Sequence, residues 1–170
     1  KFKVDSRCLI PRPETEYMIE GVNDYIKEIQ DQRHRIQDIW ENIQKKSKNI
    51  DTSSSILIDV WTGCGVLWLS VLLENPWFFQ TAFLSEYYPE TLSLAKENYE
   101  HYKTDLGDKT NITLLQANLV DFTQDNSSFS TLNSSLIIVA NLPYIPDETF
   151  DTQAEDNVKK REPRPAFVWW

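Results

Sequence analysis

From about Glu14 to Lys48 the apolar residues recur at helical spacing: Met18, Val22, Ile26 and Ile29, then Ile36, Ile39 and Ile43, with no proline between them. One long helix, or two in tandem, is predicted, and the densely charged stretch from Asp31 to Lys48 reads as a solvated face. Ahead of it, Phe2 and Val4 alternate with polar residues and predict a short strand. That strand would end at Leu9-Ile10-Pro11-Arg12-Pro13, where two prolines permit only extended or turn backbone. After a polar linker from Asn49 to Ser55, the run Ile56, Leu57, Ile58 and Val60 is short and apolar enough to be a strand covered on both sides. A glycine-containing turn, a helix from about Val66 to Leu73 and a strand from Thr81 to Ser85 follow. Pro89 to Tyr102 is predicted helical, opening with proline and glutamate where a helix N-terminus favours them. Strands at Ile112 to Gln116 and Leu136 to Ala140 complete the series, with the polar loop Thr123 to Ser135 between them. This alternation predicts an α/β fold: a Rossmann-like, doubly wound parallel sheet with helices on both faces.

A length of 170 residues and 41% hydrophobic content suit one compact core. No apolar run approaches the roughly 18 residues that cross a bilayer, and the first residues lack the apolar stretch of a secretory signal. We therefore expect a soluble, cytoplasmic protein without a membrane partner. A net charge of -9 opposes binding to polyanions, so nucleic acid is an unfavoured partner. Cys8 and Cys64 lie far apart in sequence and form no ligand motif. Each is read as a small buried hydrophobe, with no metal site. The chain has four glycines beside six tryptophans, whereas average usage would give about a dozen glycines.

The first buried strand runs into Asp59-Val60-Trp61-Thr62-Gly63-Cys64-Gly65 and then directly into a helix. Glycines there allow a tight turn and close approach of a ligand, and the helix N-terminus offers free N–H groups. Glu86 follows Gly65 by about twenty residues at the end of the next strand, where an acidic side chain can accept both ribose hydroxyls of an adenosine cofactor. The turn lacks the glycine spacing of dinucleotide binders. The fourth strand ends in Asn141-Leu142-Pro143-Tyr144, at the edge that would face the same crevice. An Asn oxygen and a proline-fixed carbonyl can accept both hydrogens of a planar NH2 group, and Tyr144 offers a stacking face. Such a set suits methylation of an amide or an exocyclic amine.

The order LIPRPETE, ILIDVWTGCG, LSEYYPETLSLAKEN, ANLPYIP and REPRPAF resembles the catalytic domain of the release-factor protein-(glutamine-N5) methyltransferases, over nearly the whole chain. Many amino-methyltransferases share the glycine turn and the Asn-Pro-Pro-Tyr motif, but Ile10 to Glu16 and Glu162 to Phe167 are more particular to this family. The resemblance implies S-adenosyl-L-methionine as cofactor and a peptide chain release factor as partner, in translation termination. It implies that Asp59, Trp61, Thr62, Gly63, Cys64, Gly65, Glu86, Asn118, Leu119 and Asn141 line the cofactor site. It implies also that Asn141, Leu142, Pro143 and Tyr144 hold the substrate glutamine, with Asn141, Pro143 and Tyr144 serving catalysis. Residues 1–50 would lead into the catalytic domain and residues 51–170 would form its core.

Three departures carry expectations of their own. The family's helical N-terminal recognition domain and the last strands of its sheet are missing, so the chain reads as a C-terminally truncated fragment. The motif stands as Asn141-Leu142-Pro143-Tyr144, a variant shared with ribosomal RNA adenine dimethylases, which gives an adenine-N6 methyltransferase of RNA or DNA as the alternative. Finally, Trp61, Trp68, Trp77, Trp169 and Trp170 stand where the family has or accepts glycine. We read this as glycine encoded by UGA and rendered as tryptophan; UGG codons at these positions would end that reading. Were Trp61 genuine, its indole would fill the cofactor space and leave a catalytically silent Rossmann-like domain.

Overall fold

The computed structural model describes residues 1–43, 55–123 and 135–168. Helix α1 (Pro13–Ile43) leads into strand β1 (Ser55–Val60), helix α2 (Val66–Glu74), strand β2 (Thr81–Glu86), helix α3 (Pro89–Leu106) and strand β3 (Asn111–Gln116). A 3-10 turn (Asp121–Thr123), strand β4 (Ser135–Ala140), helices α4 (Asp147–Gln153) and α5 (Asp156–Arg161) and a second 3-10 turn (Arg164–Ala166) follow. The four strands are parallel in the order β3-β2-β1-β4. Two successive crossovers therefore step outward from β1 on one side, and the third returns to pair β4 on the other. The direction of winding reverses between β1 and β4, and the crevice that such a reversal opens at the carboxyl ends of the strands is where α/β sheets bind ligands.

Every residue of β1 is buried, as its unbroken apolar run requires of a central parallel strand. Leu57 shares a core with Ala82, Leu84, Ile137 and Val139 and with residues of α1, α2 and α3. The opposite face carries a smaller cluster of Ile56, Ile58, Val60 and Phe83, packed with Trp61, Leu115 and Phe122. β4 is an edge strand among the described residues, and Leu136 and Ile138 on its second face are exposed. Polar pins set α1 on this frame. Arg33 donates to Ser55 Oγ (3.2 Å) and Ser135 Oγ (3.1 Å) at the starts of β1 and β4, and Asn23 donates to Glu74 Oε2 (2.5 Å) on α2. Pro89 and Glu90 open α3 and Gly107, at φ +61°, ends it, the proline-first and glycine-last asymmetry that favours helix boundaries.

The expected strand at Phe2 and Val4 does not form. Lys3 instead gives its N–H to Asn98 Oδ1 (2.8 Å) and accepts from Asn98 Nδ2 (2.9 Å), so a side chain of α3 satisfies the backbone groups a neighbouring strand would have taken. The long helix is continuous to Ile43; its expected extension to Lys48, the linker, most of the loop before β4, and Trp169 and Trp170 lie outside the described residues. The sequence pattern predicts neither α4 nor α5, because both are too short to show apolar periodicity. No described helix is long and apolar enough to cross a membrane.

Candidate functional site

A cavity of about 310 Å³ opens at the carboxyl ends of β1, β2 and β4. One side is formed by Asp59, Trp61, Thr62, Gly63 and Cys64 after β1, by Glu86 after β2 and by Asn141 and Pro143 after β4. The facing side comes from the chain's two ends: Ser6 to Leu9 and Pro11, and Pro163, Pro165 and Ala166.

The turn after β1 is shaped by its own backbone. Thr62 continues the sheet by donating to the Ser85 carbonyl (2.9 Å), and Gly65 N–H closes back on Thr62 O (2.9 Å). Gly63 and Gly65 take φ values of +60° and +84°, the left-handed region that glycine enters without steric cost. A Cβ at Gly65 would stand 2.8 Å from the Trp68 indole nitrogen, so this glycine also permits close packing. Glu86, 4% exposed, accepts from Gly63 N–H (3.1 Å) through one oxygen and from Tyr88 N–H (3.0 Å) through the other. It thereby ties the turn after β1 to the turn after β2 and keeps its remaining lone pairs for a ligand. Asp59 is buried beneath and accepts from Thr62 Oγ (2.8 Å). Burial raises its pKa to about 7, the Thr62 hydrogen bond lowers it, and the nearby Glu86 charge raises it further. Glu86 is itself shifted upward by burial, against the backbone N–H groups it accepts.

Trp61 stands apart from this order. Its φ is +56°, a genuine outlier for a bulky residue and worth roughly 1–2 kcal/mol of strain. Its indole stacks on Tyr87 at 6.3 Å, and its buried ring nitrogen has no hydrogen-bond partner. Trp77 shares the backbone anomaly at φ +78° but is exposed. Trp68 does not: it lies within α2 at ordinary helical φ, fully buried, with its ring nitrogen likewise unpartnered.

The two segments that form the facing side are joined directly to each other. Glu162, its side chain 3% exposed, accepts from Ile10 N–H (2.8 Å) and pairs with Arg12 (2.6 Å). Ile145 N–H donates to Phe167 O (2.8 Å) and pairs in a parallel bridge with Val168, which ties the segment after Asn141 to the chain's last described residues. The N-terminal segment is held independently. Arg7 bonds Asp5, whose pKa it lowers to about 2, and also Glu97, while Thr91 Oγ donates to Arg7 O (2.7 Å).

Of the residues expected in a site, the structure gathers Asp59, Trp61, Thr62, Gly63, Cys64, Glu86, Asn141 and Pro143 around the one cavity. Gly65 sits just behind, capping α2. Asn118 lines an adjoining hollow with Tyr87, Tyr88 and Gln116, and Leu119 is exposed at φ +49°. Leu142 and Tyr144 are exposed and do not line the cavity. The facing wall of residues 6 to 11 and 163 to 166 carries no recognisable catalytic pattern in the sequence; its prolines signal only rigid backbone.

Comparison with known proteins follows the same lines. No family model matches the chain. It is 28% identical over 167 residues to a release factor glutamine methyltransferase of Rhodopirellula baltica, covering 98% of this chain and 46% of that protein. It is 30% identical over 168 residues to the Streptococcus pneumoniae protein of the same name, covering 98% of this chain and 45% of that one. A Chlorobaculum tepidum protein so named is 28% identical, with 99% and 48% covered. The chain is thus similar to release factor glutamine methyltransferases along nearly its whole length and spans a little under half of theirs. Among solved structures, a delta-N METTL16 methyltransferase domain superposes with a TM-score of 0.50 at 19% identity, covering 85% of this chain and 53% of that one. The fold is the Rossmann-like one of S-adenosylmethionine-dependent methyltransferases.

Proposed function

We propose that the chain carries the cofactor and acceptor sites of an S-adenosylmethionine-dependent methyltransferase whose substrate is a glutamine side chain of a peptide chain release factor. One coincidence in space supports this most. The turn after β1, Glu86 and the Asn141–Pro143 segment line a single cavity, closed by the two segments through which the chain most resembles the release-factor enzymes. The polar frame suits the cofactor: Glu86 has lone pairs for ribose hydroxyls, and the Gly63 to Gly65 turn allows close approach, with Asn118 and Leu119 alongside. The Trp61 indole does not suit it, since it stands among these groups, and glycine at position 61 belongs to the proposal.

When bound, the cofactor supplies a methyl group on a sulfonium. The chain's own residues hold the acceptor. Asn141, through its side-chain oxygen, and the carbonyl beside Pro143 accept both hydrogens of the glutamine NH2, which favours a lone pair localised on nitrogen and aimed along one line. An amide nitrogen is a poor nucleophile, so orientation supplies most of the acceleration. Tyr144, exposed beside them, offers a stacking face. The proposal implies a cytoplasmic protein with a protein partner and needs no metal. A net charge of -9 stands against the alternative substrate, an adenine of RNA or DNA.

The test uses the full-length protein with glycine at position 61. Asn141→Ala should reduce methyl transfer to release factor by about a hundredfold, the order of loss that a 1 Å misplacement brings, while cofactor affinity changes far less. Undiminished transfer would remove Asn141 from the mechanism. Transfer to RNA in place of release factor would establish the alternative.

A further inference from the structure

Cys8 and Cys64, remote in sequence, share one corner of the cavity. Both line it, both are free thiols buried to 1% and 3% exposure, and they cluster with Leu94 and Val66. Cys8 Sγ donates to the Asp5 carbonyl (3.8 Å), which holds its thiol in this cluster beside Cys64. Their backbones are braced from a common point. Asn98, itself buried, donates to Lys3 O (2.9 Å) and Cys64 O (2.8 Å), so the segment bearing Cys8 and the turn bearing Cys64 are fixed relative to each other.

We propose that Cys8 and Cys64 form an oxidation site, a dithiol in the cavity wall that a peroxide converts to a disulfide joining the N-terminal segment to the turn after β1. The two sulfurs are suited to unequal roles. The neighbouring Cys8 lowers the Cys64 pKa against burial, and the N–H groups of Val66 and Cys64 at the head of α2 lower it further; thiolate at a helix N-terminus is the reactive form. The neighbouring Cys64 and burial raise Cys8, which remains the protonated partner. In the first step the Cys64 sulfur attacks the peroxide O–O bond, giving a sulfenic acid and, from hydrogen peroxide, one water. In the second, the Cys8 sulfur attacks the sulfenic sulfur, and its proton leaves with the hydroxyl as a second water. Two thiols and one peroxide become one disulfide and two waters.

Disulfide formation needs neither cofactor nor acceptor, so its test stands apart from the proposed function. The unsubstituted chain would be treated with hydrogen peroxide under native conditions, the remaining thiols alkylated and the peptides mapped by mass. The expected product is a monomer carrying a Cys8–Cys64 cross-link, formed at least tenfold faster than in denaturant and reversed by dithiothreitol. In Cys8→Ser, oxidation should stop on Cys64 without a cross-link. Thiols that stay alkylatable, oxidation to sulfinic or sulfonic acid without a cross-link, disulfides between molecules, or equal rates in native and denatured chain would each overturn the proposal. Because the mapping is done on the unsubstituted chain, a Cys8→Ser variant that failed to fold would leave that measurement decisive.

Discussion

The cavity has two walls built on different terms. In the wall made by the chain's ends, the buried or half-buried charged groups are answered: Glu162 meets Ile10 N–H and Arg12, and Arg7 meets Asp5 and Glu97. In the wall made by the turn after β1, Glu86 and Asp59 are equally well met, yet Trp61 between them has left-handed backbone and a buried, unpartnered ring nitrogen. Natural sequences agree with their folds at every level, and where they do not the conflict marks a functional or altered position. Here the conflict falls on tryptophan, at a φ that favours glycine. The same backbone sign recurs at Trp77, which lines neither described cavity, though not at the helical Trp68, so the anomaly is not confined to the site. That recurrence supports the reading of positions 61 and 77 as glycine.

The largest expected effect comes from removing the conflict. Trp61→Gly should raise affinity for S-adenosylmethionine on the order of a hundredfold or more, about 2.7 kcal/mol, as read by isothermal titration against the unsubstituted chain. It frees the cavity beside Glu86 and puts a residue without Cβ at φ +56°. Equal affinity in both forms would show that the indole lies clear of the cofactor and would break the contrast between the walls.

The turn wall was legible in the sequence and the facing wall was not, for a physical reason. Asp59, Gly63, Glu86 and Asn141 are polar or conformationally special residues at the ends of strands whose burial could be read from apolar runs, so their convergence follows from the parallel sheet. Pro11 meets Pro163 and Pro165 in the cavity lining where Arg12 pairs with Glu162, a contact about 150 positions apart that no local pattern encodes. Separation along the chain likewise hid the Cys8–Cys64 pair. Phe2 and Val4 had strand-like alternation, but a strand needs a partner edge, and Asn98 had already taken the backbone groups.

The well-satisfied wall supplies the next measurement. Glu162→Ala leaves Ile10 N–H without its acceptor and Arg12 without its carboxylate. The Arg12 side chain is 39% exposed and can be rehydrated, so the loss should be below that of a fully buried pair, about 2 kcal/mol in a denaturant titration. Glu162→Gln keeps an acceptor for Ile10 and should lose about half as much. Faster proteolysis between Ser6 and Pro11 should accompany either change. A loss under about 0.5 kcal/mol for Glu162→Ala, the range of ordinary surface substitutions, would mean that the wall is held by Arg7 and Asn98 alone.

The smallest effect isolates backbone strain from cavity filling. Trp77 has the left-handed φ of Trp61 but is 71% exposed, and its ring has Lys109 Nζ 5.1 Å from its centroid. Glycine there would relieve roughly 1–2 kcal/mol of left-handed strain. Against this stand the lost cation–π contact, about 0.5–1 kcal/mol at an exposed site, and the greater freedom of glycine in the unfolded chain. The terms nearly offset, leaving an expected stabilisation of about 0.5 kcal/mol for Trp77→Gly, visible as a shifted midpoint at unchanged slope in urea. Trp77→Ala separates the contributions: it loses the same ring contact yet keeps a Cβ at φ +78°, and so should be less stable than Trp77→Gly by about 1 kcal/mol. If alanine matched or exceeded glycine, the left-handed backbone at Trp77 would carry no strain, and the case for glycine would rest on Trp61 and its cavity alone.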